Sequence, residues 1–377
     1  MTTEATSRSS EPIPVYRPSL GEHERAALLD AFDSGWISGR GPHIEAFEEA
    51  FADVVRCGEA VAVANGSVAL HLVLSVLGIG PGDEVIVPSY TYVACANAVT
   101  HAGAQVVLAD CSPETLQADL DDVVRRVTDR TRAVIIPFLF GYPLDVQPIA
   151  SRLDSLGIAL IEDCSEALGT RVRDRPVGNL GLAATYSFFG NKTITTGEGG
   201  MVVTSNARLA RDLRLFRNQG VGPEGGFAHL VAGFNYRMTN LQAAIGSVQL
   251  SRLGEFLERK RVIAATYVRG LSGLPLRLIG EPIGSESSYW LCTAILEEGI
   301  DREAVISLGS RRGIDLRPGF VPMHLLPMYA SEAADFPASE SIHARVMCLP
   351  SYPSMSDQDV ASVIDIVSTA IREVAFP

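Results

Sequence analysis

A chain of 377 residues is too long for one small domain, and its 47% hydrophobic and 20% charged residues are typical of a soluble globular protein. Its formal net charge of −13 argues against nucleic acid as a partner, because phosphate backbones recruit basic surfaces. Apolar runs stay shorter than the roughly 18 residues that a membrane helix needs, so we expect no membrane contact.

The N-terminal segment, residues 1–12, is rich in serine and threonine and lacks an apolar core, so we expect a disordered tail and not a secretory signal. The six cysteines are scattered without a C-x-x-C pair, which disfavours disulfides and zinc. We therefore predict a cytoplasmic protein without a metal site.

Short β-branched segments alternate with helical patterns up to residue 204. The predicted strands are Val61–Ala64, Glu84–Val87, Gln105–Ala109, Arg132–Ile136, Ala159–Glu162, Ala184–Phe188 and Met201–Thr204. Predicted helices between them include Ser67–Leu77, Tyr92–Ala102 and Val146–Leu156. This alternation predicts an α/β fold with a mostly parallel seven-stranded sheet covered on both faces, in which ligands gather at the carboxyl ends of the strands.

The rest of the chain predicts a smaller α+β domain. A long helix is expected from Asn240 to about Tyr267, with Thr239 as its N-cap. After the Gly- and Ser-rich segment 280–288, the predicted elements are a strand at Tyr289–Leu296, a helix at Arg302–Arg311 and a last helix at Ser356–Val374. We expect a large domain at 13–255 and a small one at 256–377, bridged by the long helix.

Lys192 is the one charged residue in segment 187–197, which lies between the last two predicted strands of the sheet. Its neighbours are Phe, Gly, Asn and Thr, so it does not belong to a charged, solvated face. A desolvated amine loses basicity, and its neutral form can attack a carbonyl to form a Schiff base. An ordinary surface-loop lysine is the alternative.

Three further segments follow predicted strands. Gly66 and Ser67 open a helix, where free backbone N–H groups can bind an anion, although an ordinary βα turn looks the same. Tyr92 can stack on a planar cofactor or simply pack in the core. Asp163 can hydrogen-bond a pyridinium nitrogen or serve as a metal ligand or helix cap. Together with Lys192, these are the parts of a pyridoxal phosphate (PLP) enzyme.

Longer motifs resemble one family of such enzymes, the DegT/DnrJ/StrS nucleotide-sugar aminotransferases, which have the aspartate-aminotransferase-like fold (fold type I). The resemblance runs from Pro14 to about Pro353. The motifs that carry it are Trp36-Ile-Ser-Gly39 with Phe47-Glu48, Gly66-Ser67, Thr91-Tyr92, Glu162-Asp163, Ser187 with Lys192 and Gly197-Glu-Gly-Gly200, and the run from Gly233 through Asn235 and Arg237 to Gln242.

The resemblance implies a role for each matching residue. Lys192 would form the Schiff base and move a proton between the cofactor and the sugar carbon, Asp163 would pair with the pyridine nitrogen, and Tyr92 would stack on the ring. The implied phosphate contacts are the amides of Gly66 and Ser67, the hydroxyl of Ser187 and, from the partner subunit of a homodimer, Asn235. Arg237, beside Asn235, is a candidate for positioning anionic groups.

One position departs from the common family pattern. Many relatives carry Gln near the cofactor's phenolic oxygen, three residues after the pyridine aspartate, where this chain has Glu166. Like charges raise a pKa, so we predict that Glu166 is protonated close to that oxygen or else turns toward the substrate. The same Glu, with segments 190–197 and 317–329, resembles the GDP-perosamine synthase-like members of the family.

Segment 317–329 also supplies two candidate contacts to the sugar or its diphosphate, Arg317 and His324. Their alternatives are structural: an ion pair within the small domain for Arg317 and a hydrogen-bonded loop histidine for His324.

The resemblance implies a PLP-dependent aminotransferase that moves the amine of L-glutamate onto a nucleotide-linked keto sugar. GDP-4-keto-6-deoxymannose is the favoured substrate. A GDP-linked 3-keto isomer, a dTDP- or UDP-keto sugar and a keto-cyclitol are the alternatives. A PLP-fold protein that binds an effector as a regulator is the non-enzyme alternative, against which the intact Lys192 and Asp163 argue. Lys192 also disfavours a related group of dehydratases, which carry His there.

Overall fold

The computed structural model describes residues 12–222, 226, 228–331 and 335–375. The strands are β1 Glu59–Val63, β2 Glu84–Pro88, β3 Gln105–Ala109, β4 Thr131–Pro137, β5 Ala159–Asp163, β6 Arg171–Val172, β7 Arg175–Pro176, β8 Ala183–Ser187, β9 Gly200–Thr204, β10 Leu276–Leu278, β11 Ser285–Glu286, β12 Cys292–Leu296, β13 Arg317–Pro318 and β14 Val346–Leu349. The α-helices are α1 Glu22–Asp33, α2 Pro42–Val55, α3 Gly66–Val76, α4 Ala94–His101, α5 Leu120–Arg125, α6 Gln147–Ser155, α7 Ala207–Arg217, α8 Asn240–Ser251, α9 Leu253–Gly270, α10 Arg302–Arg311, α11 Pro337–His343 and α12 Asp357–Ala375.

The large sheet has seven strands in the order β1-β9-β8-β5-β4-β2-β3. Strand β9 runs antiparallel to both of its neighbours, and the other neighbouring pairs are parallel. The predicted mostly parallel seven-stranded sheet is therefore confirmed. Strands β8 and β9 form a hairpin in which Ser187 is paired with Gly200, so both ends of segment 188–199 lie at the same edge of the sheet.

Helices cover both faces of this sheet, and alternate strand residues enter different cores. Ile86 packs in the cluster that contains Phe47 of α2, whereas Val85 and Val87 pack in the cluster that contains Leu70 of α3. Successive side chains of a strand point to opposite faces, so a strand buried on both sides is apolar throughout. All five residues of β2 are buried, and its middle three, Val85, Ile86 and Val87, are apolar.

The helix predicted from Asn240 to about Tyr267 is two helices, so the prediction of one continuous helix is wrong. Thr239 is the N-cap, as predicted: its hydroxyl accepts a hydrogen bond from the backbone N–H of Gln242 at 3.3 Å. The chain bends at Arg252, whose ψ of 0° lies outside the α-helical region. The guanidinium of Arg252 donates to Glu24 of α1 at 2.9 Å. The apolar periodicity continues through this bend, which therefore leaves no mark in the sequence.

A second, antiparallel sheet has the strand order β10-β12-β14-β13. It packs on α9, α10 and α12. The strand predicted at Tyr289–Leu296 begins later, at Cys292, because Tyr289 adopts a φ of +45° that no regular strand allows. The predicted boundary at 255/256 falls near the start of α9, and the division into two domains stays a prediction.

The predicted N-terminal tail lies outside the described residues except for Pro12. Among the described residues, every helix is too short or too polar to cross a membrane.

Candidate active site

A cavity of about 340 Å³ opens at the carboxyl edge of the large sheet, a size within the usual range of small-molecule sites. Seven of the predicted site residues line it: Gly66, Ser67, Tyr92, Asp163, Glu166, Ser187 and Lys192. They come from four different strand ends, because the carboxyl ends of neighbouring parallel strands meet at one edge.

The turn between β1 and α3 forms an open cradle beside Ser187. Asn65 caps α3 by accepting a hydrogen bond from the N–H of Val68 at 3.0 Å, and the first amides of a helix have no partner within it. A Cβ atom at Gly66 would lie 2.9 Å from the Cβ of Ser187, and one at Gly200 would lie 2.6 Å from the carbonyl oxygen of Asn65. Glycine is therefore required at both positions, and the cradle has the geometry of an anion site.

Asp163 ends β5, and its carboxylate is held on both oxygens. Oδ1 accepts hydrogen bonds from the Ser165 N–H at 3.1 Å and hydroxyl at 2.5 Å, and from the Thr185 hydroxyl at 3.3 Å. Oδ2 accepts from the thiol of Cys95 at 3.2 Å. Burial raises the pKa of that thiol well above its usual value, and the negative charge of Asp163 raises it further. The thiol thus stays a donor, and the carboxylate has one fixed orientation.

Lys192 lies beside Glu166 inside the cavity. The Lys192 Nζ is 3.6 Å from Oε1 of Glu166, and Oε2 accepts a hydrogen bond from the N–H of Phe140 at 2.7 Å. Burial raises the pKa of the Glu166 carboxyl to about 7, although the positive charge of Lys192 opposes this shift. The Glu166 carboxyl can therefore be protonated or ionised near neutral pH.

Aromatic rings form the side of the site that faces the small sheet. In this aromatic row, Tyr92 lies 5.9 Å from Phe320, Phe320 stacks on Phe140 at 5.2 Å, and Phe140 stacks on Trp290 at 6.2 Å between ring centroids. The Lys192 Nζ is 4.2 Å from the centroid of Trp290. Tyr92 is 58% exposed, so its ring is open to a ligand. Neither Trp290 nor Phe320 is among the predicted site residues.

Comparisons with known proteins agree with this geometry. The profile of the DegT/DnrJ/EryC1/StrS aminotransferase family matches residues 18–368. The chain belongs to this family. It is therefore a PLP-dependent sugar aminotransferase, and the fold and cofactor that the resemblance implied are confirmed.

Individual relatives are similar over nearly the whole chain. The GDP-perosamine synthase of Vibrio cholerae is 43% identical over 359 residues, which cover 94% of this chain and 98% of that protein. The aminotransferase TlmJ from Streptoalloteichus hindustanus has a TM-score of 0.92 at 35% identity and covers 96% of this chain and 100% of its own. The PLP form of the putative sugar aminotransferase Spr1654 from Streptococcus pneumoniae has a TM-score of 0.91 at 26% identity, covering 96% and 99%.

Two predicted substrate contacts of this aminotransferase lie away from the cavity lining. Arg317 is exposed and donates through Nε and Nη2 to Asp315, at 3.0 and 2.9 Å. His324 is buried: its Nδ1 is 2.6 Å from the Ser89 hydroxyl, and its Nε2 is 3.3 Å from Oε1 of Glu340. Both placements match the structural alternatives, which were an ion pair for Arg317 and a hydrogen-bonded loop histidine for His324.

Asn235 and Arg237 also lie outside the cavity lining of their own chain. Asn235 is exposed, and its Oδ1 accepts hydrogen bonds from Nε and Nη2 of Arg237 at 3.1 and 2.7 Å. The Nη1 of Arg237 donates to Asn218 at 2.7 Å. The Asn235 oxygen is thus hydrogen-bonded within its own chain, and the residue as a whole is exposed there.

Phe320, Trp290 and Asn191 line the cavity but were not predicted, because the sequence around them gives little indication of a role in binding. Phe320 lies within segment 317–329, whose candidate contacts are polar residues. Trp290 is one of two tryptophans and precedes β12 without any local pattern. Asn191, which also lines the cavity, directly precedes Lys192.

Proposed function

We propose that this aminotransferase moves the amine of L-glutamate onto the 4-keto group of GDP-4-keto-6-deoxymannose, giving a perosamine-type product. The observation that carries the proposal is the meeting of the Lys192 amine, the fixed Asp163 carboxylate and the cradle at Gly66 in one cavity. The 43% identity to a GDP-perosamine synthase over nearly the full length supports this choice of sugar.

The residues of the cavity fit PLP. The amides of Gly66 and Ser67 and the hydroxyl of Ser187 would hold its phosphate, since a Cβ at position 66 would close this space. Asp163 would pair with its ring nitrogen, and Tyr92 would cover a ring face. When bound, the cofactor accepts an amine at its aldehyde and withdraws electrons from the neighbouring carbon.

Lys192 and Glu166 do the proton work of this proposal. An amine can attack a carbonyl only when it is neutral, and Glu166 is close enough to take the proton from the Lys192 Nζ. Burial raises the pKa of the Glu166 carboxyl to about 7, so this group is present in both protonated and ionised forms near neutral pH. Trp290 covers the amine on another side and limits access of water. Lys192 can then return a proton to the carbon that reacts.

We further propose a homodimer in which Asn235 and Arg237 face the partner's cavity. Phe32, Trp36 and Ile37 form an apolar segment with 63%, 52% and 49% of their surfaces exposed. This segment is tied to the Asn235 region: the Asn240 side chain donates to the carbonyl of Trp36 at 2.8 Å. A second copy of the chain would cover the apolar surface and receive Asn235.

A cytoplasmic location is part of the proposal. All six cysteines are free thiols, which suits a reducing compartment.

Spectroscopy of the holoenzyme tests the reaction. We expect glutamate to bleach the visible cofactor band with release of 2-oxoglutarate. GDP-4-keto-6-deoxymannose should then restore the band as it is converted to the amino sugar. If only the 3-keto isomer, a dTDP-keto sugar or a UDP-keto sugar restores the band, that sugar is the substrate and the proposed one is wrong. A band that ignores every amino donor would favour the effector-binding regulator.

Subunit complementation tests the shared site. Lys192→Ala and Asn235→Ala should each be impaired alone. When the two are co-expressed, a heterodimer has one site with both substitutions and one with neither if Asn235 acts across the interface. Recovery of activity well above either variant is the expected result, and no recovery in isolated heterodimers would place Asn235 in its own subunit's site or in none.

A further inference from the structure

Lys260 in α9 is fully buried, with 0% of its surface exposed. Its ammonium donates to three backbone carbonyl oxygens, those of Tyr289 at 3.2 Å, Trp290 at 3.1 Å and Ser351 at 2.8 Å. An ammonium has three donors, and here all three are used on backbone groups. A buried charge needs such compensation, so these contacts specify where the 289–290 backbone lies relative to α9.

The backbone that Lys260 holds has an uncommon conformation. Tyr289 has a φ of +45°, which is strained for a residue with a side chain. Such a conformation persists only when surrounding contacts over-determine it. Besides the bonds from Lys260, the N–H of Tyr289 donates to the Ser287 hydroxyl at 3.0 Å. Removal of the ammonium would therefore release one of the main constraints on this turn.

The side chain that follows the strained turn reaches the reactive amine. The ring of Trp290 lies 4.2 Å from the Lys192 Nζ, and its Nε1 donates to the carbonyl of Asn191 at 2.6 Å. One indole ring thus touches both the amine and the backbone of the segment that carries it. A ring face beside an ammonium favours the charged form.

A second aromatic residue also lies between Lys260 and Lys192. The ring of Tyr16 is 5.4 Å from the Lys260 Nζ, and its hydroxyl donates to the backbone carbonyl of Lys192. Tyr16 and Trp290 therefore approach the reactive lysine from two sides, and the same buried ammonium contacts both.

We propose that Lys260 is a positioning residue for Lys192. By fixing the backbone at 289–290, it sets the ring of Trp290 against the amine and so controls the amine's orientation and its proton affinity. Lys260 does not line the cavity and acts through Trp290. The inference rests on the proposed role of Lys192, but not on the identity of the sugar.

The test compares Lys260→Met, which keeps the length and removes the donors, with Lys260→Arg, which keeps the charge. Arg259→Met, one residue earlier, is the matched control, because Arg259 donates to the carbonyl of Met355 and pairs with Asp357 instead. The pH titration of the visible cofactor band is recorded with no sugar present, so its outcome is independent of the proposed substrate.

For Lys260→Met we expect the titration midpoint of the band to fall by about one pH unit, because the ring that favours positive charge on the Lys192 nitrogen has moved. The maximal rate with glutamate should fall about tenfold, with the KM for glutamate changed less than about twofold. Lys260→Arg should recover part of both effects, and Arg259→Met should leave the midpoint in place.

Two further variants, Trp290→Phe and Lys260→Met combined with Trp290→Phe, distinguish a positioning role of Lys260 from a general contribution to stability. The single Trp290→Phe change should also lower the midpoint, and the double variant should add little to it, since both changes act through one contact. In a Trp36→Phe background, Trp290 is the one tryptophan left, and Lys260→Met should increase quenching of its fluorescence by acrylamide.

A lower melting temperature with an unchanged midpoint and unchanged quenching would overturn the proposal and leave Lys260 a structural residue. Additive shifts in the double variant would also overturn it. If Lys260→Met does not fold, an unchanged midpoint in Trp290→Phe would overturn it as well.

Discussion

The two sides of the cavity contribute different chemistry. The carboxyl edge of the large sheet supplies polar groups with capacity left for a ligand, among them Asp163, Ser187 and the cradle at Gly66. The side that faces the small sheet supplies rings, Phe320 and Trp290. In the proposed mechanism the strand ends carry the reacting groups, and on the other side the ring of Trp290 packs against the Lys192 amine.

Removal of the amine should have the largest effect. Lys192→Ala deletes both the group that holds the cofactor and the acid/base, so we expect the maximal rate to fall by about 10⁴-fold or more and the visible band to disappear. The melting temperature should stay close to that of the wild-type protein without cofactor. Turnover near the wild-type level would show that the reactive group is not Lys192 and does not lie at this edge of the large sheet.

Asp163→Asn is expected to be the next most severe change. An amide cannot keep the ring nitrogen protonated, so the rate should fall about 10²-fold while the cofactor still binds. Steady-state kinetics and the visible spectrum measure the two effects separately. The control is Cys95→Ser, which keeps a donor to the carboxylate and should lose less than about tenfold. An unaltered rate in Asp163→Asn would contradict the role of this carboxylate.

Glu166→Gln should change the pH dependence of the free energy of unfolding more than it changes the maximal rate. The folded-state pKa is about 7 against an ordinary 4.5, so the folded protein binds more protons between these pH values. Glu166 therefore contributes stability that is fully present below pH 4.5 and is lost as pH rises through 7, on the order of 3 kcal/mol in total.

Denaturant unfolding of the two cofactor-free proteins between pH 4.5 and 8 checks this sign. The wild-type protein should lose free energy of unfolding relative to Glu166→Gln as the pH rises. A difference between the two proteins that is constant with pH would show that folding does not raise the pKa of the Glu166 carboxyl.

Arg317→Gln should have the smallest effect. The side chain forms an exposed pair with Asp315, and such pairs contribute about 1 kcal/mol or less. We expect kcat/KM for the nucleotide sugar to change by less than about twofold. A drop of tenfold or more, with an increase in KM, would mean that Arg317 binds the diphosphate and that the small-sheet side does contribute charge.

Much of this arrangement could be predicted from local patterns. The strands of the large sheet are short apolar segments. Asp163 ends one of them and Lys192 follows another, so their convergence follows from parallel topology. The bend at Arg252 and the turn at Tyr289 depend on tertiary contacts that no local pattern contains. For Arg317 and His324, the residue type suggested binding, but the structure decides whether the donors are already taken.

The hairpin of β8 and β9 limits which sequence changes segment 188–199 can accept. Segment 188–199 leaves and re-enters the sheet at one edge, with Ser187 and Gly200 paired at its base. A change in the length of this segment would shift the Lys192 amine relative to Glu166 and Trp290, which lie 3.6 and 4.2 Å from it. New reactivity at this point therefore has to come from exchange of side chains at constant length.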